Sequence, residues 1–188
     1  MKGTTHRSWN RFGRGLILIL LSAMSSCSYA TPCRLSWDAD RAKSAKSLEY
    51  ECADLSVQMT VSASVSHPVP WKMQIVLEIE NRSDTDVLLD WMDNEAVCDD
   101  ARSATRETAF VDEKCTDGAA VIPSGRKRRV AVNYQISFTD SEALHFSTAR
   151  VELGQLLQTG TNRICELPRI FVFPYSRRDG APGESTND

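Results

Sequence analysis

The acidic residues Asp90, Asp93, Glu95, Asp99 and Asp100 crowd one stretch of this chain, and Asp112, Glu113 and Asp117 follow within a few turns of backbone. Carboxylates gathered around one point are the chemistry of calcium binding, because Ca²⁺ is a hard cation that takes six to eight oxygens. The spacing matches no EF-hand loop, so no metal site is assigned, and the five residues from Asp90 to Asp100 stand as candidates only. A solvated acidic loop that keeps the protein soluble explains the same residues, since carboxylate repulsion is mild in water and salt. No other cofactor is implied.

The second charged feature is the basic run Arg126, Lys127, Arg128 and Arg129. Behind a Pro-Ser-Gly turn and at the start of a strand, it suits docking of an acidic partner, phosphate or glycan. It equally suits protection of an edge strand, where charges deter pairing with other chains. Together with Asp99 and Asp100 it forms the candidate partner-binding set. The whole chain is −3, yet its first thirty residues hold Lys2, Arg7, Arg11 and Arg14 and no acid, so the body is strongly acidic. That argues against nucleic acid, which demands a basic face.

Catalytic signatures are missing. The chain has no Gly-x-Ser-x-Gly, no His-Glu-x-x-His, no Walker loop and no Gly-x-Gly-x-x-Gly. His67 and His145 stand apart from any nucleophile and read as surface or packing residues, so the chain is read as non-enzymatic. Trp37, Trp71 and Trp91 read as packing residues before they read as a carbohydrate platform. Asn81-Arg82-Ser83 has the form of an N-glycosylation sequon, relevant only in a eukaryotic source.

The N-terminus resembles a secretory signal. A basic segment ending at Arg14 precedes the apolar run from Leu16 to Leu21, and Ser28-Tyr29-Ala30 offers a small-residue cleavage site. The run is too short to span a bilayer. Cys27 behind Met24-Ser25-Ser26 offers a competing lipoprotein cut, with acylation of Cys27 and an outer-membrane anchor. Either cut leaves Cys33, Cys52, Cys98, Cys115 and Cys165, an odd number, in an oxidising compartment that favours disulfides. The expected pairs are Cys98–Cys115 across a long loop and Cys33–Cys52 near the mature N-terminus, leaving Cys165 unpaired.

Period-two alternation dictates most of the architecture. Leu55, Val57, Met59 and Val61 share one face of a strand; Met73, Ile75, Leu77 and Ile79 share another; Val130, Val132, Tyr134, Ile136 and Phe138 share a third. A turn at 81–84 joins the second of these to 87–92 as an expected hairpin. Short strands are expected at 119–122 and 164–173, one or two helical turns over 38–48 capped by Asp38, and 144–157 reads equally as strand or helix. Residues 93–118 read as a loop, long enough to be functional or tied down. The fold class is all-β: a single immunoglobulin-like antiparallel β-sandwich over 31–176, after a signal peptide at 1–30 and before a disordered tail at 177–188.

The functional expectation is an exported, non-catalytic protein-interaction domain, periplasmic or secreted or lipid-anchored. It would present the disulfide-closed loop to another envelope or extracellular protein, as an inhibitor, immunity or adaptor factor or a complex subunit. The alternative is a calcium- or glycan-binding module using the acidic loop 90–117.

Overall fold

The computed structural model describes residues 29–67, 71–91, 96–98, 102–116, 118–136 and 146–174. In chain order the strands are β1 (Tyr29–Pro32), β2 (Arg34–Ser36), β3 (Ser47–Cys52), β4 (Val57–His67), β5 (Trp71–Asn81), β6 (Val87–Asp90), β7 (Ala96–Cys98) and β8 (Arg102–Val111). They continue with β9 (Lys114–Thr116), β10 (Ala119–Ile122), β11 (Lys127–Ile136), β12 (Ala149–Val151), β13 (Gln155–Gln158), β14 (Ile164–Glu166) and β15 (Ile170–Phe173). The ambiguous segment 144–157 therefore contributes strands, and the expected helix over 38–48 is one 3₁₀ turn, Arg41–Lys43, capped by Asp40 rather than Asp38.

All pairings are antiparallel. One sheet has eleven strands in the order β1-β4-β5-β11-β8-β7-β12-β15-β2, with β3 beside β4 and β9 beside β8. The other has four, in the order β10-β6-β13-β14. The large sheet curls until its ends meet: Leu35 in β2 exchanges both backbone hydrogen bonds with Ala45, just ahead of β3, at 2.7 and 2.8 Å. The fold is thus all-β and antiparallel, between a sandwich and a barrel. Immunoglobulin sheets hold three to five strands each, against eleven and four here, so the all-β class holds while the immunoglobulin-like plan is not confirmed.

Alternation explains the core. Val57, Met59, Val61, Ala63 and Val65 of β4, Met73, Ile75, Leu77 and Ile79 of β5, and Val130, Val132, Tyr134 and Ile136 of β11 all point inward and are buried. Each large aliphatic chain so buried contributes roughly 1.5–3 kcal/mol. Leu89, Ile122 and Leu156 close the core from the small sheet, around a fully buried Trp91.

The expected hairpin of 73–80 with 87–92 does not form, because the chain changes sheet between β5 and β6. Asn81 fixes that crossing. It has no exposure; its Nδ2 donates to Thr85 O at 2.8 Å and to Ile122 O at 3.0 Å. Its Oδ1 accepts from Ser83 N and Ser83 Oγ at 3.0 and 2.7 Å. The sequon reading fails on this geometry, since the amide nitrogen a glycan would need is buried and already donates twice.

Residues 102–116 overturn the expected loop. β8 is an interior strand, bonded to β11 along one edge and to β7 and β9 along the other. Its inward residues are Ala104, Arg106, Ala109 and Val111, with Glu107 inserted as a bulge that switches the inward side from even to odd numbers. β8 turns into β9 through Asp112 and Glu113, both at positive φ (44° and 72°), the two-residue turn whose twist suits a hairpin. β1 starts at Tyr29, ahead of the expected cut after Ala30. The signal run, Cys27 and the tail 177–188 lie outside the described residues.

Candidate functional site

The sheets place the expected cysteines in a new pattern. Cys52 at the end of β3 bonds to Cys165 in β14, closing a separation of 113 residues and joining the two sheets. Beside it, Tyr50 Oη donates to Glu166 O at 3.4 Å. Both expected pairs fail for one geometric reason. Cys98 lies opposite Arg102 and Cys115 opposite Phe110, at two ends of the same edge of β8. Eight residues of strand separate them by about 26 Å at 3.3 Å per residue, against a disulfide limit near 7 Å. Cys33, whose N–H donates to Ala63 O, and Cys52, opposite Val57, are spaced likewise along β4.

Cys33 and Cys98 are buried outside the disulfide, while Cys115 is exposed. Burial pushes the Cys33 thiol up to about 12, and the thiolate is the reactive form. Maleimide should therefore label Cys115 in the native protein within minutes and reach Cys33 and Cys98 only after denaturation. Peptide mapping checks this, and native labelling of Cys33 would contradict the placement.

The acidic cluster is only partly within view. Asp93, Glu95, Asp99 and Asp100 lie outside the described residues. Asp90 sits on the outer face of β6 and accepts from Gln155 Nε2 at 3.3 Å. Asp112 is committed elsewhere: Arg128 pairs with it, and Arg129 N donates to its Oδ1 at 3.0 Å. Among the described residues no group of three metal-ligating side chains gathers.

The basic run is likewise committed. Lys127 pairs with Glu78 at 2.8 Å and Arg129 stands opposite Glu78 across the β5–β11 ladder. Arg126 is exposed, and its carbonyl accepts from Asn81 N. β11 is bonded to β5 along its whole length but to β8 only from Val130 onward, so Lys127 and Arg128 stand beyond the end of the β8 ladder, a placement compatible with edge protection. The Arg129 N–H first, then the Arg128 guanidinium, hold Asp112 below the usual carboxylate range. A depressed folded value adds stability above the unfolded value, near 3.8, that is lost as pH falls through the folded one. An Asp112→Asn variant should lose less stability between neutral pH and pH 2 than the parent does. The difference should stay under about 1 kcal/mol, since solvent screens so exposed a pair; acid titration followed by circular dichroism measures it.

Arg106 escaped sequence reasoning altogether. It faces inward opposite Tyr134, and its guanidinium donates to Trp91 O at 3.0 Å. Burial pushes the Tyr134 phenol up to about 12 despite the opposing Arg106 charge. Trp91 Nε1 is the buried side-chain polar atom that lacks a partner among the described residues. These contacts anchor the end of β6 between the sheets.

The outer faces of the two sheets differ sharply. On the large sheet, polar side chains interlock across strands: Gln74 Nε2 donates to Asn133 Oδ1 and Asn133 Nδ2 to Thr108 Oγ1, each at 3.0 Å. Lys72 pairs there with Glu107 at 2.8 Å. Its outward Val76 and Ala131 are already covered, at 9% and 5% exposure. On the small sheet the register aligns Val121 with Leu88, Leu88 with Leu157, and Leu157 with Ile164. One apolar row thus crosses all four strands. Its ends, Val121 at 49% and Ile164 at 53%, are the exposed large hydrophobic residues among those described. A neighbouring row holds Ala119, Asp90, Gln155 and Glu166, and Asp86 and Thr159 lie on the other side. Alternation in each short strand hints at this face, but the row appears only once the register is known.

No protein-family model matches the chain, and no curated protein matches it in sequence. Fold and face together define an antiparallel all-β protein whose two sheets are joined by a disulfide and whose smaller sheet carries an apolar row outward.

Proposed function

We propose that this chain is an exported, non-catalytic protein-interaction domain whose docking face is the outer surface of the four-stranded sheet. The observation that carries the reading is the row Val121–Leu88–Leu157–Ile164. Apolar side chains left to solvent and rimmed by polar groups are the usual mark of a protein contact. Export is supported by the basic-then-apolar N-terminus and by a disulfide between sheets, which persists in oxidising compartments. The docking face differs from the one expected from sequence, because residues 102–116 form hairpin strands and Lys127–Arg129 lean on neighbouring acids.

The test places a photo-cross-linking residue at Leu157 in the native host, with Thr60 on the outer face of the large sheet as control. A discrete adduct from position 157 and none from 60 is the expected result. Equal adducts from both positions, or none from 157, would remove the small sheet as the docking face.

A further inference from the structure

We infer that the partner presents an amphipathic helix with basic flanks to the row Val121–Leu88–Leu157–Ile164. This deepens the docking-face reading and rests on it.

Geometry selects a helix. The row runs across the strands, so its side chains repeat at the strand spacing of about 4.8 Å and span roughly 14 Å. A helix repeats its apolar stripe about every 5.4 Å, close to that interval. An extended segment laid along the row would present same-side residues about every 6.7 Å, and drifts out of step within two contacts. A strand docked parallel to the sheet strands would meet apolar and acidic rows alternately.

Charge selects basic flanks. Asp90 and the exposed Glu166 border the row on one side, and the exposed Asp86 on the other. Arg163 is the exposed cation next to the row in sequence. Acidic borders around an apolar strip attract Lys and Arg flanking an apolar helix face, and they speed encounter. The same borders repel a second copy, since a two-fold contact sets each acidic border against like charge. An anionic lipid surface is disfavoured on the same charge argument.

The probe is a synthetic Leu/Lys peptide of about 18 residues, long enough to be helical alone, patterned with one apolar stripe. Comparison peptides are a shuffled sequence of the same composition and a Leu/Glu version of the same pattern. Binding to the purified, disulfide-intact protein is read by fluorescence anisotropy at low and physiological salt. Saturable binding at least tenfold tighter than to the shuffled peptide is expected. Val121→Ser with Ile164→Ser should weaken it tenfold or more, and Glu166→Lys severalfold with a shallower salt dependence. Unchanged melting temperatures show that the variants fold. Equal binding of shuffled or Leu/Glu peptides, or indifference to Val121→Ser with Ile164→Ser, would overturn the inference. A concentration-dependent dimer abolished by Ile164→Ser would assign the row to a second copy instead. Failure of the two readings is separable. If position 157 cross-links to a partner whose contacting segment is not a basic helix, the docking face survives and the helix does not. If 157 yields no adduct, both fall.

Discussion

Replacing Asn81 by aspartate should cost about 4 kcal/mol or more, although the two side chains have nearly the same shape. The Asn81 amide donates to Thr85 O and Ile122 O and accepts from Ser83 with no exposure to water. A carboxylate oxygen in place of Nδ2 would face two carbonyl oxygens in a buried site. Each lost donor strands an acceptor at about 1–3 kcal/mol, and burying an unpaired charge adds to that. Asn81→Ala should cost somewhat less, about 3 kcal/mol, because it strands the same groups without adding charge. At a few degrees per kcal/mol, Asn81→Asp should lower the melting temperature by roughly ten degrees. A controlling comparison is Ser83→Ala, which removes one acceptor contact and leaves both Nδ2 bonds. If Asn81→Asp melts within two or three degrees of the parent, the crossing is not held by this amide.

Removing the Cys52–Cys165 bond should have a comparable effect. It closes a separation of 113 residues, and chain-entropy reasoning assigns about 4–5 kcal/mol to a loop of that length. The bond also ties the end of β3 to β14, so its loss frees the small sheet at one edge. Cys52→Ser, Cys165→Ser and the double variant should lose nearly equal stability, because one bond accounts for all three. Cys33→Ala should retain the bond and lose only packing. Non-reducing peptide mapping should recover Cys52 and Cys165 in one fragment. A fragment joining Cys33 to Cys52, or a Cys33→Ala loss matching that of Cys165→Ser, would refute the pairing. If the outer face of the small sheet is the docking surface, reduction should also weaken partner binding, since β14 carries Ile164 and Glu166.

Legibility from sequence followed local periodicity. β4, β5 and β11 were visible because large aliphatic residues alternate with polar ones, a pattern each strand carries within itself. β8 was invisible for the converse reason. Its inward residues include two alanines and Arg106, and the bulge at Glu107 breaks the alternation midway. The β8–β9 turn also lacks the glycine that usually marks a two-residue hairpin, since Asp112 and Glu113 adopt positive φ themselves. Taken as loop, the segment suggested a disulfide between its ends; built as strands, it holds those ends apart.

What the sequence by itself determined is the all-β character and the inward faces of the long strands, because strand propensity and amphipathic alternation act over a few residues. Only the tertiary structure decided which cysteines meet, that Asn81 is a buried crossing pin rather than a glycan acceptor, and that Val121, Leu88, Leu157 and Ile164 form one row. Each of these depends on which strands become neighbours and in what register. Pairing is set by the summed burial of the whole core and the closure of long loops, quantities that no local stretch of sequence encodes.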